Sequence, residues 1–185
     1  MRKRPNPGIR RTTLRLLKVR PAAGDRRRGW LIAGPLTIPV TLGRGGIKAN
    51  KREGDGATPR GRFRLKRLWW RADRSPRPRT LLPVRRITPQ DAWCEDPSDR
   101  RYNQPLRLQE GQAGDRLRRE DHLYDLVVEL DHNARPRIAG RGSAVFLHVA
   151  RPGFGPTAGC VAMRDRMLKR LLQRSRQGTE IAIDV

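Results

Sequence analysis

A chain of 185 residues, 36% of them hydrophobic, holds material for one domain with a sizeable core and little for a second. Its 42 basic against 18 acidic side chains leave a formal charge of +24, which attracts polyanions, whether nucleic acid or the carboxylates and phosphates of an anionic cell envelope. Aromatic residues are only 5% of the chain, and no helix-turn-helix, zinc knuckle or stacking motif accompanies the charge, which argues against a nucleic-acid reader.

In chain order, Met1 to Arg11 is a basic tail containing the Arg10–Arg11 pair. No apolar core of roughly 7 to 15 residues follows it, so a clear signal peptide is not expected. A domain is expected over 12–185. Alternation predicts strands at Thr13 to Val19, Trp30 to Ala33, Thr37 to Leu42 and Arg62 to Trp69, with a turn at Ala23 to Gly29. The apolar stretch from Trp30 to Leu42 is broken by Gly34, Pro35 and Pro39 and is too short to span a membrane. Arg71 to Arg86, with Pro76, Pro78 and Pro83, reads as an exposed loop over a sheet edge. A helix is expected near Gly114 to His122, a strand ends at His132 and Asn133, and Ala144 to Leu147 reads as a buried strand closed by His148. Met167, Leu168, Leu171 and Leu172 keep helical spacing between Arg164 and Gln177, before Gly178 and a last strand at Glu180 to Val185. The order predicts a mostly β fold, a sandwich or open barrel with a few helices.

The chemistry concentrates in Gly140 to Met163, GRGSAVFLHVARPGFGPTAGCVAM, where Cys160 follows His148 across Pro152, Gly153, Gly155 and Pro156. The thiolate is the attacking species, yet a free thiol of pKa about 8.5 is mostly protonated at neutral pH, so a neighbouring imidazole has a role as base. No Asp or Glu lies close to His148 in sequence, so the carbonyl of Val149 or a nearby backbone group is the expected partner that holds its tautomer. Gly159 permits close backbone approach, and the amides of Gly159 and Cys160 are candidate donors to an oxyanion. This chemistry needs neither metal nor cofactor. A bond between Cys94 and Cys160 would consume the nucleophile, so Cys160 is expected free and Cys94 a structural thiol. His122 and His132 lack the ligand spacing of a zinc site.

The same loop resembles the active-site segment of the L,D-transpeptidase catalytic domain, the YkuD family, in its shorter variant. Lys51 to Leu65 resembles that family's Thr-Pro-x-Gly-x-Phe segment through Thr58, Pro59, Gly61 and Phe63, while Trp93 to Asn103 and Tyr124 to Asn133 resemble further segments in the expected order. The resemblance covers roughly residues 12 to 185. Better-known members carry Ser-His-Gly-Cys followed by Asn or Arg; this chain has Thr157, Ala158, Gly159, Cys160, Val161 and Ala162, a departure that bears on selectivity near Ala158. The family's general base matches His148.

The resemblance implies a mostly β fold and a two-step acyl transfer on peptidoglycan stem peptides, giving 3→3 or 1→3 cross-links, or hydrolysis if water is the acceptor. It places the chain in the periplasm or cell envelope, as an expected monomer. Around the site, Arg141 and Ser143 lie on the segment that delivers the base; a guanidinium matches a substrate carboxylate, although among 42 basic residues Arg141 reads sooner as a solvated side chain. Trp93, Tyr102 and Asn103 can contact peptide or sugar or simply pack, Asn133 lines a groove or a turn, and Thr157 orients the loop. The competing class is a nonenzymatic polyanion or peptidoglycan binder in which the cysteine loop is structural; within the enzyme class the nearest rival is a cysteine peptidase.

Overall fold

A computed structural model describes residues 13–109, 112 and 114–184. The basic tail and its Arg10–Arg11 pair lie outside the described residues. In chain order the strands are β1 (Leu16–Ala22), β2 (Asp25–Ala33), β3 (Leu36–Thr41), β4 (Ile47–Lys48), β5 (Thr58–Pro59), β6 (Gly61–Trp70) and β7 (Val84–Arg86). They continue as β8 (Asp91–Trp93), β9 (Pro105–Arg107), β10 (Asp115–Arg116), β11 (Leu126–Leu130), β12 (Phe146–Val149), β13 (Val161–Met163) and β14 (Glu180–Ile183), with helix α1 (Asp165–Leu172) between the last two.

Nine strands form one sheet in the order β11-β12-β13-β3-β2-β1-β14-β6-β7, and β11 also pairs with β6, so the sheet closes on itself as a barrel with β7 outside the ring. Closure removes the unpaired edges that an open sheet would carry. Every ring strand sends alternate residues inward: Leu17 and Val19, Leu31, Ile38, Leu68, Val128, Leu147, Val161 and Ile181 meet in one core. On β6 the register slips between Leu68↔Val128 and Leu65↔Leu130, a bulge that lets Leu65 and Leu68 both face that core.

The outer face of the same wall carries a second, smaller core. Val127, Phe146 and Cys160 alternate with the inward set and pack with Trp69, Trp93 and Leu117. Trp93 and Leu117 come from the segment built around a small antiparallel sheet, β10-β8-β9, laid over this face of the barrel. The catalytic candidates therefore stand between the barrel wall and this cover.

Several expectations shift in the structure. β1 begins at Leu16 and runs to Ala22, and β2 already starts at Asp25, because the turn is confined to Ala23 and Gly24, with φ +81 at Gly24. Gly114 to His122 is not a helix: Asp115 and Arg116 pair with Trp93 and Ala92, and the rest runs in bends, because only Leu117 is buried and no helical apolar stripe exists. α1 stops at Leu172, where Arg174 N–H turns back to Leu171 O and Ser175 N–H to Leu172 O. The loop after Arg71 ends as β7, parallel to β6, and Arg71 itself is buried, its guanidinium bidentate on Asp73 and donating to Arg119 O. No helix among the described residues is long and apolar enough to cross a membrane.

Candidate active site

β12 and β13 run parallel with Leu147 opposite Val161 and His148 opposite Ala162, which sets Phe146 beside Cys160 one step before β13 begins. Residues two apart share a face, so Phe146, His148 and Cys160 all project to the outer side of the barrel. His148 is fixed from two directions. Its Nδ1 lies 2.8 Å from Val149 O, and a carbonyl only accepts, so Nδ1 carries the proton and Nε2 is the free base. The Tyr124 ring makes T-shaped contacts with the imidazole at 5.4 Å and with Phe146 at 6.1 Å, and the Arg119 guanidinium lies over it at 5.1 Å.

Cys160 Sγ donates to Ala144 O at 3.2 Å and receives Phe146 N–H at 3.4 Å. The thiol is thus held on a backbone carbonyl. Burial pushes the thiol up to about 12 and the imidazole down to about 4, so both partners are neutral near pH 7. Both cysteines are unpaired thiols.

The loop before the nucleophile is held by Thr157, whose hydroxyl donates to Cys160 O at 2.7 Å and accepts Gly159 N–H at 3.1 Å. That bond removes one of the two amides offered as oxyanion donors: Gly159 N–H is occupied inside the loop, and Cys160 N–H is the one left to serve. Gly159 is needed for another reason, since a Cβ there would lie 2.9 Å from Ala57 O while φ is +149.

The remaining sequence candidates gather on the walls. Asn103 spends its side chain within the protein, accepting Trp93 Nε1–H and Ala144 N–H at Oδ1 and donating from Nδ2 to His132 O and Asn133 O. Asn133 likewise donates to Ile138 O and Gly142 O and accepts Ile138 N–H. Both have positive φ, 54 and 49, so they are braces that shape the turns, not free groups facing a substrate. Trp93 is buried edge-on against Phe146 at 5.0 Å. Buried Tyr102 donates to Glu53 Oε2 and accepts Gly142 N–H. Ser143 Oγ is buried beside the Tyr102 hydroxyl. Arg141 is exposed and donates to Asn50 Oδ1. His132 meets Phe63 edge to face, His122 pairs with Asp125, and no group of three ligating side chains fit for a metal occurs among the described residues.

Sequence reading missed three contributors: Tyr124, the Ala144 carbonyl and the Lys51 to Asp55 turn. Lys51 is 6% exposed, its Nζ 2.6 Å from Asp55 Oδ1, and its stem fills the space beside Gly142 and Gly159. The cue was present in the charged run KREGD ahead of Thr58, but only the fold brings that run against the nucleophile's loop.

A thiol and a tautomer-locked imidazole on one face of a parallel strand pair are the groups that nucleophilic acyl transfer requires. No curated protein matches the chain. The L,D-transpeptidase catalytic domain, YkuD, matches residues 23–183, and the chain belongs to that family.

Proposed function

We propose that this protein cross-links peptidoglycan stem peptides in the periplasm or cell envelope through a thioester on Cys160. The observation that carries the reading is that the parallel pairing of β12 with β13 sets Cys160, just before β13, on the same outer face as His148, two residues along from its neighbour Phe146, with Nδ1 pinned to Val149 O so that Nε2 is left to take the thiol proton.

Because both groups are neutral at rest, the thiolate–imidazolium pair is not preformed; the proton moves as the thiol leaves Ala144 O and attacks. Sγ bonds to the carbonyl carbon at the diaminopimelate of the donor peptide, and charge on its oxygen falls to Cys160 N–H. The imidazolium then gives its proton to the departing amine as the C–N bond breaks. An amine of a second stem peptide resolves the thioester, giving a 3→3 link when it comes from diaminopimelate or a 1→3 link when it comes from L-alanine. Thr157 and Gly159 hold the nucleophile's loop, the protein acts as a monomer, and carbapenems acylate the same sulfur.

The test is intact-mass spectrometry after incubation with a carbapenem and, separately, with a disaccharide-tetrapeptide. An adduct confined to the wild type and absent from Cys160→Ala, with a cross-linked dimer whose fragmentation reveals the bond, is the expected result. Equal adduct formation on Cys160→Ala overturns the mechanism.

A further inference from the structure

Three of the four tryptophans are buried, and their indole N–H groups donate inside the protein: Trp69 to Glu129, Trp70 to Ser75 O and Trp93 to Asn103 Oδ1. Trp30 is 45% exposed, and among the described residues its indole N–H has no partner and no cation stands over its ring. Guanidiniums do lie over Trp69 and Trp70, at 4.5 and 5.7 Å. The pleat explains the placement, since Leu31 points into the core and Trp30 and Ile32 therefore stand on the outer side of β2. Across the ladder Trp30 lies opposite Arg20 on β1 and Pro39 on β3, while Ile32 lies opposite Lys18. Trp30, Pro39 and the half-buried Ile32 make an apolar centre, with Lys18 and Arg20 along one side and Arg28 two residues before Trp30.

The charge around this centre is not neutralised within the protein. Lys18 and Arg20 form no ion pair among the described residues. Arg28 reaches Asp25 at 3.6 Å, a carboxylate that Arg27 already holds at 3.0 Å. The next acid along the sheet, Glu180 opposite Leu16, is taken by Arg62 at 3.1 Å.

We infer that this face of β1, β2 and β3 docks the protein on an anionic lipid bilayer, with the Trp30 indole at headgroup depth and Lys18, Arg20 and Arg28 on lipid phosphates. An indole suits that depth because its ring is apolar while its N–H keeps a wet partner. Lysine and arginine stems lie along apolar surface with their charged ends at the phosphates. Two other partners fit the face less well. Single-stranded nucleic acid is held on successive stacking rings, and here there is one. A glycan needs groups that sort hydroxyls, and the rows through Trp30 and Ile32 hold no carboxylate or carboxamide.

The docking does not depend on the acyl-transfer chemistry, but it bears on where that chemistry happens. His148 pairs with Ala162, Ala162 with Thr41 and Thr41 with Arg28, so one row of the wall runs from the catalytic face to the docking face. At a strand spacing of about 4.8 Å, three steps put His148 roughly 15 Å from Arg28 along the wall. A docked protein therefore works on material close to the bilayer surface.

The experiment is sedimentation of the full chain with vesicles of phosphatidylglycerol and phosphatidylcholine in equal parts, and with phosphatidylcholine alone. The set is wild type, Trp30→Ala, the pair Lys18→Gln with Arg20→Gln, and a charge-matched control, Arg77→Gln with Arg79→Gln, exposed in the loop after Arg71. Wild type is expected to bind the anionic vesicles with a blue shift of its tryptophan emission, since Trp30 is the ring that leaves water. Trp30→Ala is expected to lose that shift and weaken partition at least tenfold, the Lys18 and Arg20 pair to weaken it about tenfold at low salt, and the control less than roughly threefold. The Lys18 and Arg20 pair, exposed side chains without partners, keeps the test apart from any change of fold at Trp30, and urea midpoints check each variant. Wild type that does not bind, Trp30→Ala that binds as wild type, or an equal loss in the control overturns the inference. So does a Trp30→Ala loss just as large toward soluble inorganic polyphosphate, which marks a site for polymers and not for a bilayer. Vesicle binding is read whether or not Cys160 reacts with stem peptides, so failure of the acyl-transfer reading stays distinct from failure of the docking.

Discussion

Cys160 and His148 sit where charge is costly on either, and their reactivity follows from that one condition. With the thiol moved up to about 12, its reaction with iodoacetamide is expected to stay slow from pH 7 to 9 and climb only at strongly alkaline pH. Peptide mapping at Cys160 checks this; a midpoint near 8.5 would contradict the enclosed thiol. The imidazole gives a stability prediction with a definite sign. Its pKa is about 4 folded against 6.5 unfolded, so below pH 6.5 the unfolded chain binds more protons. Stability from this group is whole above 6.5, falls by roughly 3 kcal/mol as pH drops toward 4, and changes little below that. His148→Gln, with no proton to gain, is expected to lose less stability than wild type between pH 6.5 and 4 in urea titrations, and parallel acid losses would sink the assignment.

At the scale of elements, β12, its loop and β13 form the unit that carries His148 and Cys160, and the weak point is the turn into β13. Gly159→Ala places a Cβ against a backbone carbonyl, Ala57 O, in a conformation that side chains avoid. The expected cost is about 1–3 kcal/mol, a drop in Tm of several degrees, together with a displaced thiol and slower carbapenem acylation. An unchanged Tm and acylation rate would show that the turn yields freely. This unit was legible in the sequence, because an apolar strand ending in histidine, a Pro/Gly loop and a Gly-Cys step are local patterns. So was α1, from its leucine spacing, though not its end, which is set by backbone turns after Leu172. The covering sheet was not legible. β8, β9 and β10 are two or three residues each, paired across chain separations that no local period encodes, so Gly114 to His122 read as helix. For the same reason the sequence left Asn103 open between ligand contact and packing and Asn133 between a groove and a turn: their acceptors, the carbonyls of His132, Asn133, Ile138 and Gly142, converge only in the fold.

Across the whole molecule the charge of +24 is not uniform, and the contrast between surfaces assigns different jobs to different faces. Beyond Asn103 a groove of about 760 Å³ runs past Arg64, Lys66, Arg67, Glu129, Arg135 and Arg137. Glu129 is already held by Lys66 and Arg67, at 2.5 and 3.0 Å, so it neutralises its immediate neighbours. Arg135 and Arg137 have no carboxylate partner among the described residues; Arg137 meets only the Arg100 carbonyl, at 3.2 Å. Two guanidiniums without a carboxylate partner, on the wall of one groove, suit an anionic wall polymer. The double change Arg135→Gln and Arg137→Gln is expected to weaken retention on purified sacculi roughly three- to tenfold at low salt, with the gap closing as ionic strength rises, because exposed charges are screened over about 10 Å at 0.1 M. Carbapenem acylation of Cys160, measured on the same preparations, separates a binding loss from a folding loss: it should proceed at the wild-type rate, since the drug needs the thiol and not the groove. Retention that stays at the wild-type level would leave the excess charge as a property of the solvated surface alone.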